Sequence, residues 1–383
     1  MKRRNLLIAL VIVITFIGVT FIKNTEQHRS KAANIEQNSK QNFEEEKVLI
    51  GYVQDFRDPN EVDYSNLTHV IFSFAHPTES GDVLLTNDAA LQNLKTMVTK
   101  AKETDTKVLL AVGGWSHLYG GQSYDYFLKA ISQPTSRTNL VNNLMEIVER
   151  EELDGIDIDF EHPRKTTDAK HLTAFTKELS EQLHSKDKEL TIAVHSKVNA
   201  ATGLESDYVI YEPVLFNYVD YVNIMAYEGQ WDNGYHAENL APYTFAEQSV
   251  KYWHHLFTEN KIDTSKLVLG VPLYGQPEDA SKQTKSYATI TNMYPNYSDK
   301  DTIHMNGTTY YYNGSETMKK KTKLAMDYGF GGMMMWETGF DAEGSDNLTS
   351  VIRQELDQSS DSIVENKKKG SARLAPYLLS PVD

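Results

Sequence analysis

Cysteine is absent from the 383-residue chain, which excludes a disulfide framework, a zinc–thiolate site and a lipidated N-terminal cysteine. Positive charge is in short supply: 38 Lys and Arg stand against 53 Asp and Glu, for a formal net charge of −15. Nothing offsets repulsion by phosphates, so no nucleic acid is expected as a partner. A neutral polysaccharide is compatible with that charge. No GxGxxG follows an apolar run and no GK[ST] occurs, so the chain carries no dinucleotide or phosphate loop of those kinds. HExxH is missing as well, and His254 and His255 are adjacent, so they cannot share one helical face. No cofactor and no metal is expected. With 40% hydrophobic and 24% charged residues the chain reads as globular, long enough for one large barrel or two ordinary domains.

At the N-terminus, Lys2, Arg3 and Arg4 precede Leu6–Ile22, which is apolar except for Thr15, Gly18 and Thr20. Residues 1–22 therefore read as a signal peptide or membrane anchor. No small-x-small cleavage site follows, since Lys23-Asn24-Thr25-Glu26 is polar and bulky. That favours an uncleaved tether through residues 6–22, with the remainder on the extracellular face. Residues 23–46 are polar and read as a linker, 47–358 as the globular part, and 359–383 as a disordered tail.

Apolar runs recur at Lys47–Tyr52, Leu67–Ala75, Lys107–Trp115, Leu153–Pro163, Leu190–Val198, Tyr218–Glu228, Lys266–Gly275 and Gly329–Trp336. Between several of them the apolar residues fall at helical spacing: Leu91, Leu94, Val98 and Ala101; Leu140, Leu144, Ile147 and Val148, with Ser136 as the expected cap; Leu172, Phe175, Leu179 and Leu183. Glu316–Tyr328 and Asn347–Leu356 add two more helices, and the Tyr-rich Gln276–Tyr312 reads as an insertion. Strands alternating with helical crossovers predict an α/β fold, a (β/α)8 TIM barrel with a small insertion between strand 7 and helix 8. An open doubly wound sheet fits the strand count too, but more often carries a Gly-rich phosphate loop.

The stretch Leu153–Pro163 reads LDGIDIDFEHP. Its alternation places Asp157, Asp159 and Glu161 on one face of a strand and Ile156, Ile158 and Phe160 on the other. Three carboxylates on one face repel, so at least one should keep its proton near neutral pH unless a cation neutralises the set. A carboxylic acid of raised pKa at a strand end suits protonation of a leaving-group oxygen. A solvated acidic edge strand and a hard-cation site are the alternatives.

The run resembles the DGxDxDxE signature of glycoside hydrolase family 18, the chitinase-type family. The resemblance continues in order through Gly51-Tyr52, Phe72-Ser73-Phe74-Ala75, Gly113-Gly114-Trp115, Met225-Ala226-Tyr227, Leu269-Gly270-Val271-Pro272 and Gly331-Gly332-Met333-Met334-Met335-Trp336. It implies a retaining, substrate-assisted glycosidase acting on a carbohydrate that contains N-acetylglucosamine. Glu161 would be general acid and base. Asp159 would turn between Asp157 and Glu161, Asp157 would share its proton, and Tyr227 would hold the acetamido carbonyl. Tyr52, Phe74, Gly114, Trp115, Met225, Glu228, Trp231 and Trp336 are the implied substrate contacts, Trp336 as the floor. Tyr119, Tyr124 and Tyr235, in loops after strands three and six, and Phe56 and Arg57 after strand one, are further candidates for lining the cleft. β-1,4-linked chitin or chito-oligosaccharides come first as substrate. Peptidoglycan or N-glycan cores, and a non-catalytic chito-oligosaccharide-binding lectin, remain open. Three positions depart from the family's common text: Glu228 in place of Asp, Ala111 in place of Ser, and His162 in place of Tyr. None is expected to touch the acid itself.

Overall fold

The computed structural model describes residues 47–344 and 347–359. The expected anchor and linker, 1–46, and residues 360–383 of the expected tail lie outside the described residues. Eight strands form the barrel: β1 Val48–Gln54, β2 His69–Pro77, β3 Lys107–Gly113, β4 Gly155–Asp159, β5 Glu189–His195, β6 Tyr221–Met225, β7 Leu267–Pro272 and β8 Gly332–Trp336. Each pairs in parallel with the next, and β8 closes on β1 through Val48↔Gly332 to Gly51↔Met335. A closed parallel barrel has no free edge, so the acidic stretch is an interior strand rather than a solvated edge.

The period-2 rule holds around the barrel. Val48, Ile50, Tyr52, Ile71, Leu109, Ala111, Val268 and Met334 pack with one another inside it. Their neighbours Leu49, Val53, Leu110, Val112, Met333 and Met335 belong to the outer core under the helices. In β4 the outward set is Ile156 and Ile158, followed by Phe160.

The covering helices are α1 Asp88–Ala101, α2 Ser123–Ser132, α3 Pro134–Arg150, α4 Thr166–His184, α5 Tyr243–Glu259, α6 Tyr287–Met293 and α7 Ser315–Asp327, with a last helix over 348–359. That last helix reaches one residue into the segment expected to be tail. Two helices, not one, link β3 to β4. Gln133 is held extended at φ −112°, ψ 138° ahead of Pro134, so α2 stops there. Pro134 then opens α3, where its missing N–H is no loss. The expected cap, Ser136, instead lies within the first turn of α3 and its hydroxyl donates to the Gln133 carbonyl at 3.2 Å.

The insertion follows β7 as expected. It is a small antiparallel sheet in the order Lys285–Ser286, Tyr274–Pro277, Thr308–Tyr311, Thr302–Met305, with α6 beside it. The strand boundaries differ from the sequence reading. β4 ends its ladder at Asp159, leaving Glu161 just past the strand, and β6 is shorter than Tyr218–Glu228. Among the described residues no helix is long and apolar enough to cross a membrane.

Candidate active site

Asp157 and Asp159 point into the barrel near the C-terminal ends of the strands, where barrel sites are built. Their strand sits close against β3, and the contact requires glycine. Gly113 has φ +120°, and a Cβ there would lie 2.1 Å from the Asp159 carbonyl oxygen. Gly114 follows at φ +77°, donates its N–H to the same carbonyl at 2.9 Å, and would meet the Phe74 ring at 3.0 Å if it carried a Cβ.

Asp157 is fully buried and accepts three hydrogen bonds, from Tyr52 Oη at 2.7 Å, Thr191 Oγ1 at 2.5 Å and Asn223 Nδ2 at 3.2 Å. Burial pushes its pKa up to about 6, against the lowering effect of those donors. Ala111 faces it across the β3–β4 register and offers no hydroxyl; the neighbouring strands supply the support instead. Asp159 is also buried, and its Oδ1 has no hydrogen-bond partner among the described residues. Burial, then the charges of Glu161 and Asp157, hold its pKa well above the ordinary carboxylate range. Glu161 is pushed up to about 8, by burial and then by Glu228. Burial thus favours the protonated form throughout the set, and most clearly for the acid next to the cleft.

Glu161 opens into a cleft of about 710 Å³ that is also lined by Trp115, His162, Met225, Tyr227, Glu228 and Trp231. Tyr227 is buried with its hydroxyl 3.9 Å from Met334 Sδ, and burial followed by the Asp159 charge raises its pKa well above 10, so it remains a donor. Trp336 lies between Tyr52, at 5.6 Å, and Phe74, stacked at 5.8 Å, and these rings form one aromatic floor. Glu228 sits in the left-handed region at φ 63° and accepts from Tyr274 Oη at 3.0 Å. Trp115 and Trp231 are 55% and 62% exposed, rings available at the rim. The peptide bonds Ser73–Phe74, Glu161–His162 and Trp336–Glu337 are cis.

Of the expected catalytic and substrate-contact residues, Trp115, Glu161, Met225, Tyr227, Glu228 and Trp231 line the cleft, while Tyr52, Phe74, Asp157 and Trp336 are linked behind it by ring contacts and the Tyr52–Asp157 hydrogen bond. The structure corrects other expectations. Tyr124 is not in a loop: it belongs to α2, is buried, stacks on Phe160 at 5.3 Å and donates to Asp168 at 2.9 Å. Arg57 does not line the cleft; it is paired with the buried Glu337 and stacks over Phe340. Tyr235 packs on Trp231 at 5.0 Å and its hydroxyl is bound to the Pro277 carbonyl. His162 does reach the acid, with Nε2 3.4 Å from Glu161 Oε2.

Several cleft residues escaped the sequence reading: Arg164, His195, Ser196, Tyr208, Asp232 and Phe245. Phe245 belongs to the first turn of α5; the others lie at or beyond the ends of β4, β5 and β6, without a local motif. Thr191 and Asn223 did leave a trace, as polar residues with apolar neighbours on either side in β5 and β6. Among the described residues no group of three or more His, Asp or Glu is arranged to hold a metal ion.

Comparison with known proteins adds the following. The family model described as "Glycosyl hydrolases family 18" matches residues 10–341. "Probable chitinase 10" of Drosophila melanogaster is 30% identical over 240 residues, 57% of this chain and 10% of that protein. "Chitotriosidase-1" of Mus musculus is 30% identical over 245 residues, again 57% of this chain and 49% of that protein. The chain therefore spans half or less of these relatives. The crystal structure of the family 18 chitinase ChiB of Flavobacterium johnsoniae superposes with a TM-score of 0.67 at 23% identity, over 81% of this chain and 94% of that one. At that identity the likeness speaks for the fold.

Proposed function

The chain belongs to glycosyl hydrolase family 18, and from that premise we propose that it is a retaining glycosidase that cleaves β-1,4-linked N-acetylglucosamine in chitin or chito-oligosaccharides. The observation that carries the reading is Glu161, a cleft-lining carboxyl whose pKa is pushed up to about 8 while Asp157 behind it lies at about 6. Carboxyl groups with pKa values driven apart by their surroundings are the mark of an acid–base site.

In the first step Glu161 gives its proton to the glycosidic oxygen as the bond from that oxygen to the anomeric carbon breaks. The carbonyl oxygen of the sugar's own 2-acetamido group forms the new bond to that carbon, giving an oxazolinium ion. Asp159 accepts the acetamido N–H and balances the positive charge, while Asp157 shares the proton of the Asp pair, which titrates as a coupled unit. Tyr227 donates to the acetamido carbonyl and holds it for attack. Water then adds to the anomeric carbon, its proton passing to the Glu161 carboxylate, and the ring opens to regenerate the acetamide. No second carboxylate acts as nucleophile.

Incubation with chitotetraose, followed by ¹H NMR of the freshly released reducing ends, tests this reading. Hydrolysis with the β anomer appearing first is the expected result. Initial release of the α anomer, or binding of the tetrasaccharide without cleavage, would overturn it.

A further inference from the structure

His162 stands where the family's common text has Tyr, and its ring reaches the acid: Nε2 is 3.4 Å from Glu161 Oε2, with both side chains largely buried. We propose that His162 is a positioning residue that donates its Nε2–H to the Glu161 carboxylate, steadying the ionised form through the half of the cycle in which Glu161 must act as base. This inference rests on the reading of Glu161 as general acid and base.

The tautomer follows from the surroundings. His162 Nδ1 is buried with no hydrogen-bond partner among the described residues. A proton on Nδ1 would orphan a buried N–H, which is rare, and would aim the Nε2 lone pair at a carboxylate oxygen. A proton on Nε2 leaves only a lone pair unmatched and sets a donor nitrogen 3.4 Å from Glu161 Oε2. The next ring is fixed as well. His195 Nδ1 accepts the Lys197 N–H at 2.9 Å, so its proton sits on Nε2, 2.9 Å from Tyr208 Oη. The His195 ring meets the His162 ring edge to face at 5.2 Å and backs it.

The charge state suits the role. Burial, then His195 and Arg164, hold His162 well below the ordinary histidine range, so it is neutral. An imidazolium would favour the Glu161 carboxylate so strongly that the acid step would suffer; a neutral N–H favours it by a hydrogen bond alone. The groups facing the pair are Asp159 from β4, Glu228 and Tyr227 after β6, Tyr211, and His195 and Arg164 on the ring side, with Lys197 and Tyr208 beyond His195. Burial, then Glu228, opposes a negative charge on Glu161. His162, 3.4 Å away, is placed to offset them. At 3.4 Å the contact is slightly long for an N–H···O bond; it tightens when Glu161 ionises, as contacts around catalytic groups commonly do.

The test is the titration of the Glu161 carboxyl by ¹³C NMR in substrate-free protein, its signal assigned by disappearance in Glu161→Gln. His162→Phe keeps a ring and removes the donor, and should raise the midpoint by about one pH unit. His162→Gln, whose amide N–H can approach the same oxygen, should move it less. The basic limb of kcat/KM should rise together with the midpoint. If the Phe variant fails to fold, His162→Ala is read in the same way. A midpoint unchanged or lowered on loss of the donor overturns the proposal. Because the titration needs no substrate, a protein that hydrolyses nothing would sink the proposed function and leave this inference to be decided by the same spectra.

Discussion

Tyr52, Thr191 and Asn223 come from three different strands and converge on the one carboxylate of Asp157. Donors to a carboxylate stabilise its charged form, so each lowers a pKa that burial raises. Tyr52→Phe removes one donor and leaves the ring that packs on Trp336. The Asp pair should then hold its proton to higher pH. The acidic limb of the kcat/KM profile should move up by about one unit, as loss of one hydrogen bond to a charged group implies, with little change in KM. An unmoved limb would mean that Thr191 and Asn223 suffice. Residues of this kind were only half legible in the sequence. Alternation told which face Asp157, Asp159 and Glu161 share, because strand geometry leaves no other choice. The partners of those carboxylates depend on register between strands, and no single strand's text contains register. The resemblance implies Tyr52 as a substrate contact; that its hydroxyl also donates to Asp157 could be read only from the register.

The β3–β4 junction shows the same division among elements. The strands could be read because a parallel strand buried on both faces is a continuous apolar run. Their ends could not, since the apolar text runs on past the last ladder bond, as at Phe160. α2 was missed because it is ten residues long, has no side-chain cap, and is separated from α3 only by Gln133. What the junction demands is testable. Gly113→Ala sets a methyl 2.1 Å from the Asp159 carbonyl at φ +120° and should lower stability in urea unfolding by about 2 kcal/mol or more. Gly120 shares a positive φ, +88°, but has open space around it, so Gly120→Ala should cost only about 1 kcal/mol. Equal losses would mean that the close approach of β4 to β3 is not what Gly113 serves.

For the whole molecule, the site's acid has a stability consequence. Glu161 is pushed up from 4.5 to about 8 by burial and by Glu228, so the folded state binds a proton that the unfolded chain has already released. Stabilisation from that proton is complete below the unfolded pKa and is lost as pH rises through the folded one. Glu161→Gln carries no such group. Its melting temperature relative to the wild type should therefore climb between about pH 5 and about pH 9; a constant or falling difference would contradict the buried, protonated acid. The barrel itself was legible because eight apolar runs separated by helical crossovers leave few other architectures. The cleft beyond its floor was not, since Arg164, His195, Tyr208 and Asp232 are assembled only when the loops after β4, β5 and β6 meet.

Turnover of a chromogenic N,N′-diacetylchitobioside by the wild type beside Glu161→Gln bears most directly on the central claim. The wild type should release the chromophore and the variant should lose roughly 10²–10⁴-fold in kcat, the contribution of a positioned general acid. A variant as fast as the wild type would contradict the assignment of Glu161. Binding of the disaccharide by a wild type that never cleaves it would contradict the enzyme reading and leave a sugar-binding protein on the same barrel.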